Sequence, residues 1–255
     1  MNFGPLYSAG YNLLNEGKDY KKELDFVFET VSAIVGTEFI PRSVIDFGCG
    51  SGKHLAELQN SIKRVVGVDR SKDMLSAAFD LLPNDYELIH SDIGSFITSE
   101  SFDLVFSLFH VASYQTTFQE IVSYWNTISS SLSMDGFAFV DFWNRAAWDQ
   151  EPPERRVTEK SNELTTVRRV STPTIDFLTG IVDLDITVTF SGSENKEEEY
   201  HEQHRLRAFT LLEVQLAAKL VGLDVVKAGG WLDATSPLSP NDWYGYVVLK
   251  HRDRK

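Results

Sequence analysis

One stretch constrains this chain more than any other: Ser43-Val-Ile-Asp-Phe-Gly-Cys-Gly-Ser-Gly-Lys-His54. A short, mostly apolar run from Val44 to Phe47 ends in three glycines at alternate positions, Gly48, Gly50 and Gly52, and a helical pattern follows at once. This predicts a buried strand, a tight turn and a helix N-terminus, with the glycines letting backbone approach a ligand more closely than any Cβ would permit. The glycines alone do not choose between a nucleotide-like ligand and a merely tight turn.

The chain around that stretch alternates strands with helices. A helix is expected over 20–35, with Leu24, Val27, Phe28, Val31, Ile34 and Val35 at helical spacing and Gly36 as its stop. Strands are expected at 43–47, 64–69, 86–90, 103–109 and 137–142. Ser71 caps a helix whose apolar face is Met74, Leu75, Ala78, Phe79 and Leu82. Thr117 to Glu120 has the form of a capping box, and Met134-Asp-Gly136 reads as the turn into the fifth strand. Such alternation argues for right-handed crossovers and a parallel sheet. The pattern then changes. Val182, Leu184, Ile186, Val188 and Phe190 alternate with polar residues, as in a half-buried antiparallel strand. A turn at 191–195, a returning strand over 198–209 and a further strand near 164–170 complete a β-rich insertion, with Glu197 to Glu199 as a solvated face. A second capping box at Thr210–Glu213 opens the last helix, ended by Gly222. Two strands follow, 223–228 and 243–250, with no helix between them, so one strand can run antiparallel. The expected division is 1–149, an arm and ligand-binding core; 150–209, the insertion; and 210–255, the remainder of the core.

Composition narrows the partners. The formal net charge is −13 and no basic cluster offsets it, which disfavours nucleic acid and anionic membrane. No run reaches the roughly 18 apolar residues of a membrane span, and the first residues have no signal-peptide pattern. The single cysteine, Cys49, excludes an internal disulfide and fits a reducing compartment, so a cytoplasmic location is expected. No His/Cys/Asp cluster has metal-ligand spacing, and no metal is expected.

The glycine spacing is G-x-G-x-G, not the G-x-G-x-x-G of dinucleotide sites, and His54 stands where a phosphate-cradling loop needs Ser or Thr. That disfavours a dehydrogenase. Asp69, ending the second strand, sits where a carboxylate can accept both hydroxyls of a ribose. Asp92, just after the third, can accept from an adenine amino group, with Ile93 and Met74 against the ring. Each acid has a plainer reading as a solvated turn or cap. Three such features after successive strands are hard to explain as coincidence.

Val-Ile-Asp-Phe-Gly-Cys-Gly-Ser-Gly, Val-Val-Gly-Val-Asp-Arg-Ser, Ser-Asp-Ile and Phe-Asp-Leu-Val-Phe-Ser, in this order, resemble the class I S-adenosylmethionine-dependent methyltransferases. The resemblance covers 40–142 and 210–250. It implies an α/β fold, a Rossmann-like doubly wound seven-stranded sheet with one antiparallel strand, here carrying the β-rich antiparallel insertion. It implies S-adenosylmethionine as cofactor and S-adenosylhomocysteine as product. By that likeness Asp46 and the glycine loop (Gly48, Cys49, Gly50) hold the methionine part, Asp69 the ribose, and Asp92 with Ile93 the adenine, Met74 lying against the ring; His54 and Arg70 complete the cofactor set. Ser107 lies beside them, and Tyr20 is a candidate for the cofactor carboxylate. A closer likeness rests on Tyr11-Asn-Leu-Leu, Gly17-Lys-Asp-Tyr20, Ser107 to Tyr114, Asp141-Phe-Trp143 and Glu202 to Phe209. These are similar to a bacterial subgroup that includes N,N-dimethyltransferases of nucleotide-linked amino deoxysugars and relatives serving surface polysaccharides. Asn15, Asn144 and the 230–243 loop depart from that subgroup, on the side where an acceptor would bind.

The resemblance implies methyl transfer to nitrogen or oxygen of a small polar acceptor, with a nucleotide-linked sugar foremost and another amine or hydroxy metabolite as the alternative. A third reading is a cofactor-binding protein without catalysis. Transfer from a sulfonium is an in-line displacement, so alignment is the main task, and a hydroxyl acceptor also needs a general base. The candidates for chemistry are His110, Tyr114 and His204; those for the acceptor are Tyr11, Trp143 and Arg207. The plainer readings are a packed loop histidine for His110, an exposed strand histidine for His204 and pocket walls for Tyr114 and Trp143. The insertion is expected to roof the pocket, to join two copies in a homodimer, or both.

Overall fold

The computed structural model describes residues 13–14, 17–59, 61–162, 165–192 and 197–252. Helix α1 (Tyr20–Val35) opens on Asp19, whose carboxylate accepts from the Lys22 N–H, and closes on left-handed Gly36. Its Leu24, Val27 and Val31 face inward. Strand β1 (Ser43–Phe47) leads through the glycine turn into the short α2 (Lys53–Ala56). Then come β2 (Arg64–Asp69), α3 (Lys72–Leu81), β3 (Glu87–His90), β4 (Phe102–Ser107), α4 (Phe118–Ser131) and β5 (Leu132–Trp143). The insertion contributes β6 (Arg156–Ser161), β7 (Thr165–Asp176), β8 (Ile181–Gly192) and β9 (Glu197–Arg207). Helix α5 (Leu211–Leu220), β10 (Leu223–Gly230) and β11 (Tyr244–His251) return to the core.

Seven strands form one sheet in the order β3-β2-β1-β4-β5-β11-β10. Its pairings are parallel from β3 to β5, and β11 is antiparallel to both β5 and β10. The expected reversed strand is therefore present. Successive β1 residues point to opposite faces. Ile45 and Phe47 join Trp125, Ile128, Val214 and Ala218 under α4 and α5, whereas Val44 joins Leu24, Val27, Val31, Leu75 and Ala78 under α1 and α3. Chain direction across the sheet reverses between β1 and β4. Ligands of such sheets bind outside the carboxyl ends of the strands at that reversal.

The insertion is a separate four-stranded antiparallel sheet in the order β6-β7-β8-β9. Val182, Leu184, Ile186 and Val188 bury one face against Trp148, Val167, Leu206 and Ala208. Glu198 and Glu199 on β9 are solvated, as their run predicts. Strand β6 has no counterpart in the sequence reading. It is an edge strand with almost no buried residue, so no alternation marks it.

Several expectations are corrected. Phe79 is not on the buried face of α3 but 68 % exposed. Val35 is half-exposed at the end of α1. The fourth strand ends at Ser107, because Phe109 and His110 adopt left-handed φ of 66° and 65°. Strand β5 begins at Leu132, directly after α4, and 134–136 lie inside it. Gly136 is required there by sterics: a Cβ would stand 2.8 Å from the Phe102 carbonyl oxygen. The returning strand stops at Arg207, and Phe209 bridges Asn144 instead. Tyr11, Leu164 and most of the 191–195 turn lie outside the described residues; Ser191 belongs to β8.

Candidate functional site

The glycine turn folds back onto β2. The Gly48 and Cys49 N–H groups both donate to the Val68 carbonyl, at 2.8 and 3.1 Å. All three turn glycines have positive φ. A Cβ on Gly48 would lie 2.4 Å from Val111 Cγ2, whereas one on Gly50 would meet no protein atom within 4 Å. Gly48 therefore serves close packing, and Gly50 leaves open space above the turn.

Asp69 organises the next layer. One carboxylate oxygen accepts from the Gly50 N–H at 2.9 Å, the other from the Ser71 N–H at 2.8 Å. The end of β2 is thereby tied both to the turn and to the start of α3. The Arg70 backbone N–H adds to these, and of the four or so lone-pair sites of a carboxylate at least one is left for a ligand. Burial holds its carboxyl above the usual range, against the backbone hydrogen bonds that lower it. Beneath the turn, Asp46 is 1 % exposed, and its Oδ2 has no hydrogen-bond partner. Burial, with Asp69 and Asp141 nearby, pushes its carboxyl well up. An orphaned buried acid is costly to the empty protein, and a ligand supplying a donor or a positive charge relieves that cost.

Opposite this wall, the chain leaving β4 turns through Phe109 and His110. Their consecutive N–H groups donate to the two carboxylate oxygens of buried Asp141, at 3.0 and 2.8 Å. His110 stacks on Tyr244 with ring centroids 4.2 Å apart and stands edge-on to Trp143. Its Nδ1 is 3.2 Å from Asp141 Oδ2 but off the line of a hydrogen bond. The Lys18 ammonium lies 3.5 Å above the Phe109 ring and pairs with Glu23 at 3.0 Å.

A third group comes from the insertion. The Tyr114 hydroxyl is 2.9 Å from His204 Nδ1, and His204 Nε2 is 3.0 Å from Glu202 Oε2. His204 is 4 % exposed, which corrects the reading of it as an exposed strand histidine. Burial raises the Tyr114 phenol, while Arg70 and Arg169 pull it back. The Arg70 guanidinium lies 5.1 Å from the Tyr114 ring centroid.

These walls enclose a cavity of about 690 Å3, a size that suits small-molecule ligands. Gly48, Gly50, Asp69, Arg70, Met74, Asp92 and Ile93 line it from the core, and His110, Tyr114, Trp143 and His204 complete the sequence-predicted set. Asp92, an exposed residue, also accepts from the Gly94 N–H through Oδ1, which caps a short turn. Other predicted residues, Asp46 among them, lie off the lining. Cys49 is buried, with its thiol pushed up by burial, and the Ser107 hydroxyl donates to the Phe47 carbonyl beneath the turn. His54 Nε2 is 2.7 Å from Glu23, with Tyr20 edge-on to its ring. Burial and Glu23 push the Tyr20 phenol up to about 12. Arg207 points to α5, where it donates to Glu213 at 2.6 Å.

The structure adds residues that sequence reasoning missed. Asp141 is an acid among the apolar residues near the end of β5, and a buried charge in such a run is the signal for it. Glu202 precedes His204 by two residues on one strand, which puts both on the same face. Arg155, Arg156 and Arg169 line the cavity from the insertion, but nothing local in sequence brings Arg169 to the adjacent pair. The indole nitrogen of Trp143 and the Nε of Arg169 are buried without a protein acceptor. Among the described residues, no cluster of His, Cys, Asp and Glu suits a metal ion, and no helix is long and apolar enough to cross a membrane.

Residues 44–136 match a family described as a methyltransferase domain. A stretch of 94 residues is 40 % identical to an uncharacterised methyltransferase of Schizosaccharomyces pombe, covering 35 % of this chain and 36 % of that protein. The chain thus spans about a third of that relative's length. Over 222 residues it is 27 % identical to dTDP-3-amino-3,6-dideoxy-alpha-D-glucopyranose N,N-dimethyltransferase of Streptomyces fradiae, covering 84 % of this chain and 82 % of that one. The crystal structure of Streptomyces venezuelae DesVI superposes with a TM-score of 0.80 at 22 % identity, over 96 % of this chain and 98 % of that chain. The expected Rossmann-like sheet, with its one reversed strand and its antiparallel insertion, is the fold of that structure.

Proposed function

From a chain whose residues 44–136 match a methyltransferase domain, we propose a class I S-adenosylmethionine-dependent methyltransferase acting on the amino group of a nucleotide-linked sugar. The observation that carries this reading is Asp69, fixed by Gly50 and Ser71 with a lone pair left over, beside the open space above Gly50. A pyrophosphate would suit neither the buried acid below the turn nor the one beside it.

S-adenosylmethionine, when bound, supplies a methyl group on a positively charged sulfur. Asp69 would accept from the ribose hydroxyls, and Asp92, with Ile93 and Met74, would hold the adenine. Asp46 and the glycine turn would hold the methionine end. The orphaned Asp46 oxygen fits a ligand that brings a cationic amine. The walls' task is then alignment, since holding the two reactants in line replaces a bimolecular encounter by a unimolecular step.

The acceptor side favours a nucleotide-linked sugar over a simple amine. Arg70, Arg155, Arg156 and Arg169 line the cavity of a chain whose net charge is −13. Guanidinium groups suit the oxygens of a diphosphate, and the unpartnered Arg169 Nε is a donor awaiting one. Trp143 offers an apolar wall with a free indole N–H. In this reading the core (1–149 and 210–255) holds the donor and the insertion (150–209) roofs the acceptor, in the cytoplasm.

Calorimetry with S-adenosylhomocysteine and with NAD tests the donor: binding of the former alone is expected, and preference for NAD overturns the reading. Formation of S-adenosylhomocysteine from S-adenosylmethionine and the dTDP-linked 3-amino-3,6-dideoxyglucose tests the acceptor. Binding without turnover of any amino sugar nucleotide favours a different amine or hydroxy metabolite.

A further inference from the structure

Three side chains from two separate parts of the chain meet in a line at the cavity wall. Tyr114 comes from the turn after β4, His204 and Glu202 from β9 of the insertion. The spacings are 2.9 Å from the Tyr114 hydroxyl to His204 Nδ1 and 3.0 Å from His204 Nε2 to Glu202 Oε2. Tyr114 and His204 both line the cavity, and Leu184, Ile186 and Leu206 surround them with apolar wall. A carboxylate only accepts, so Glu202 fixes the proton of a neutral imidazole on Nε2 and leaves Nδ1 to accept from the tyrosine. The phenol oxygen keeps its lone pairs for the cavity. The order of groups is that of a hydroxyl, a histidine and an orienting acid, the arrangement that moves protons in nucleophile triads.

We propose that Tyr114, His204 and Glu202 form a proton relay that removes the proton the acceptor nitrogen must lose, with Glu202 as a positioning residue. The proposal rests on the methyltransferase reading above. An amino sugar is an ammonium ion in neutral water and has no lone pair to give. Its N–H proton passes to the Tyr114 oxygen while the tyrosine's own proton passes to His204 Nδ1. The freed lone pair forms the new N–C bond as the S–C bond breaks and leaves its electrons on sulfur. The imidazolium stands against the Glu202 carboxylate until it returns a proton to water. The charged groups around the relay are Arg70, Arg169, Asp69 and Glu202. The first two stabilise the partial negative charge that develops on the Tyr114 oxygen as its proton leaves. Burial raises the phenol and keeps it an O–H carrier between cycles.

The test uses the full chain with S-adenosylmethionine and dTDP-linked 3-amino-3,6-dideoxyglucose, as wild type, Tyr114→Phe and Glu202→Gln. Each variant is expected to lower kcat by about 100-fold, the lower end of general-base losses, with KM and S-adenosylhomocysteine affinity within about twofold. Glu202→Gln should also displace the acidic limb of the kcat profile, because the imidazolium loses its counter-ion. A purely structural hydrogen bond would leave that limb in place. Unchanged kcat in both variants, or a loss that only follows cofactor affinity, overturns the relay. If the wild type binds S-adenosylhomocysteine yet leaves the amino sugar unmethylated, the acceptor reading fails separately. Nitrogen NMR of His204 then decides the relay: an Nε2–H tautomer shifted by both variants supports it, and an Nδ1–H tautomer overturns it.

Discussion

Asp141 Oδ1 accepts the backbone N–H of His110 at 2.8 Å, which holds in place a residue with a φ of 65°. Left-handed backbone in bulky residues persists only where surrounding structure over-determines it. Here the Phe109 N–H on the other oxygen, the Lys18 ammonium over the Phe109 ring and the Tyr244 ring on His110 do so. Asp141→Asn replaces one acceptor by a donor facing an N–H. It should cost about 1–3 kcal/mol of stability, the penalty for stranding a buried polar group. Denaturant unfolding of the two proteins gives the difference. An equal midpoint would mean that other contacts hold the turn without Asp141.

Asp69→Ala removes the acceptor for Gly50 and Ser71 together with the proposed acceptor for the ribose. Hydrogen bonds to charged groups contribute about 1.5–3 kcal/mol each, so S-adenosylhomocysteine affinity should fall by at least about tenfold. Asp69→Asn separates the two roles, since its amide keeps one accepting oxygen. Calorimetry is the measurement, and unchanged affinity in Asp69→Ala removes the ribose assignment.

The core was legible because its strands are short, buried and punctuated. Val44 to Phe47 and Arg64 to Asp69 carry apolar runs ended by glycine or acid, and two capping boxes, at Thr117 and Thr210, mark their helix starts. Strand β6 was not legible because an edge strand without a buried face leaves no hydrophobic period. The grouping of Gly50, Asp69 and Asp92 on one cavity wall was legible because they sit at or just after consecutive strand ends. The contact between Tyr114 and His204 was not, because they meet only through packing of the insertion across 90 residues of chain. Phe79 shows the limit of helical spacing: it adjoins the apolar stripe of α3 in sequence, but only Met74, Leu75 and Ala78 of that helix are buried.

Asp46 gives a prediction with a sign. Its folded-state carboxyl is raised, so it favours the folded state below its unfolded value, and that contribution is lost as pH rises toward the raised one. Asp46→Asn removes the titration. The stability difference between Asp46→Asn and wild type, without ligand, should therefore be small near pH 4 and grow in favour of the variant toward pH 8. S-adenosylhomocysteine affinity should fall at the same time, a trade of function against stability. Thermal unfolding across that range is the check, and a variant less stable at pH 8 than at pH 4, relative to wild type, would reverse the assignment.

Gly48 and Gly50 share a positive φ but differ in what a side chain would meet. An alanine at either position bears the left-handed strain, about 1–2 kcal/mol. Gly48→Ala adds a collision with Val111 at 2.4 Å, so it should lose stability well beyond that strain, and Val111→Ala should recover part of the excess. Gly50→Ala meets no protein atom within 4 Å, so its stability loss should stay near the strain alone. Its methyl group would instead occupy the space assigned to the cofactor. Gly50→Ala is thus expected to fold nearly as well as wild type yet to lose S-adenosylhomocysteine binding by about a hundredfold, roughly 2.7 kcal/mol. Paired denaturation and calorimetry separate the two glycines. Retained binding in Gly50→Ala would place the cofactor away from the turn and leave the open space above Gly50 to another ligand.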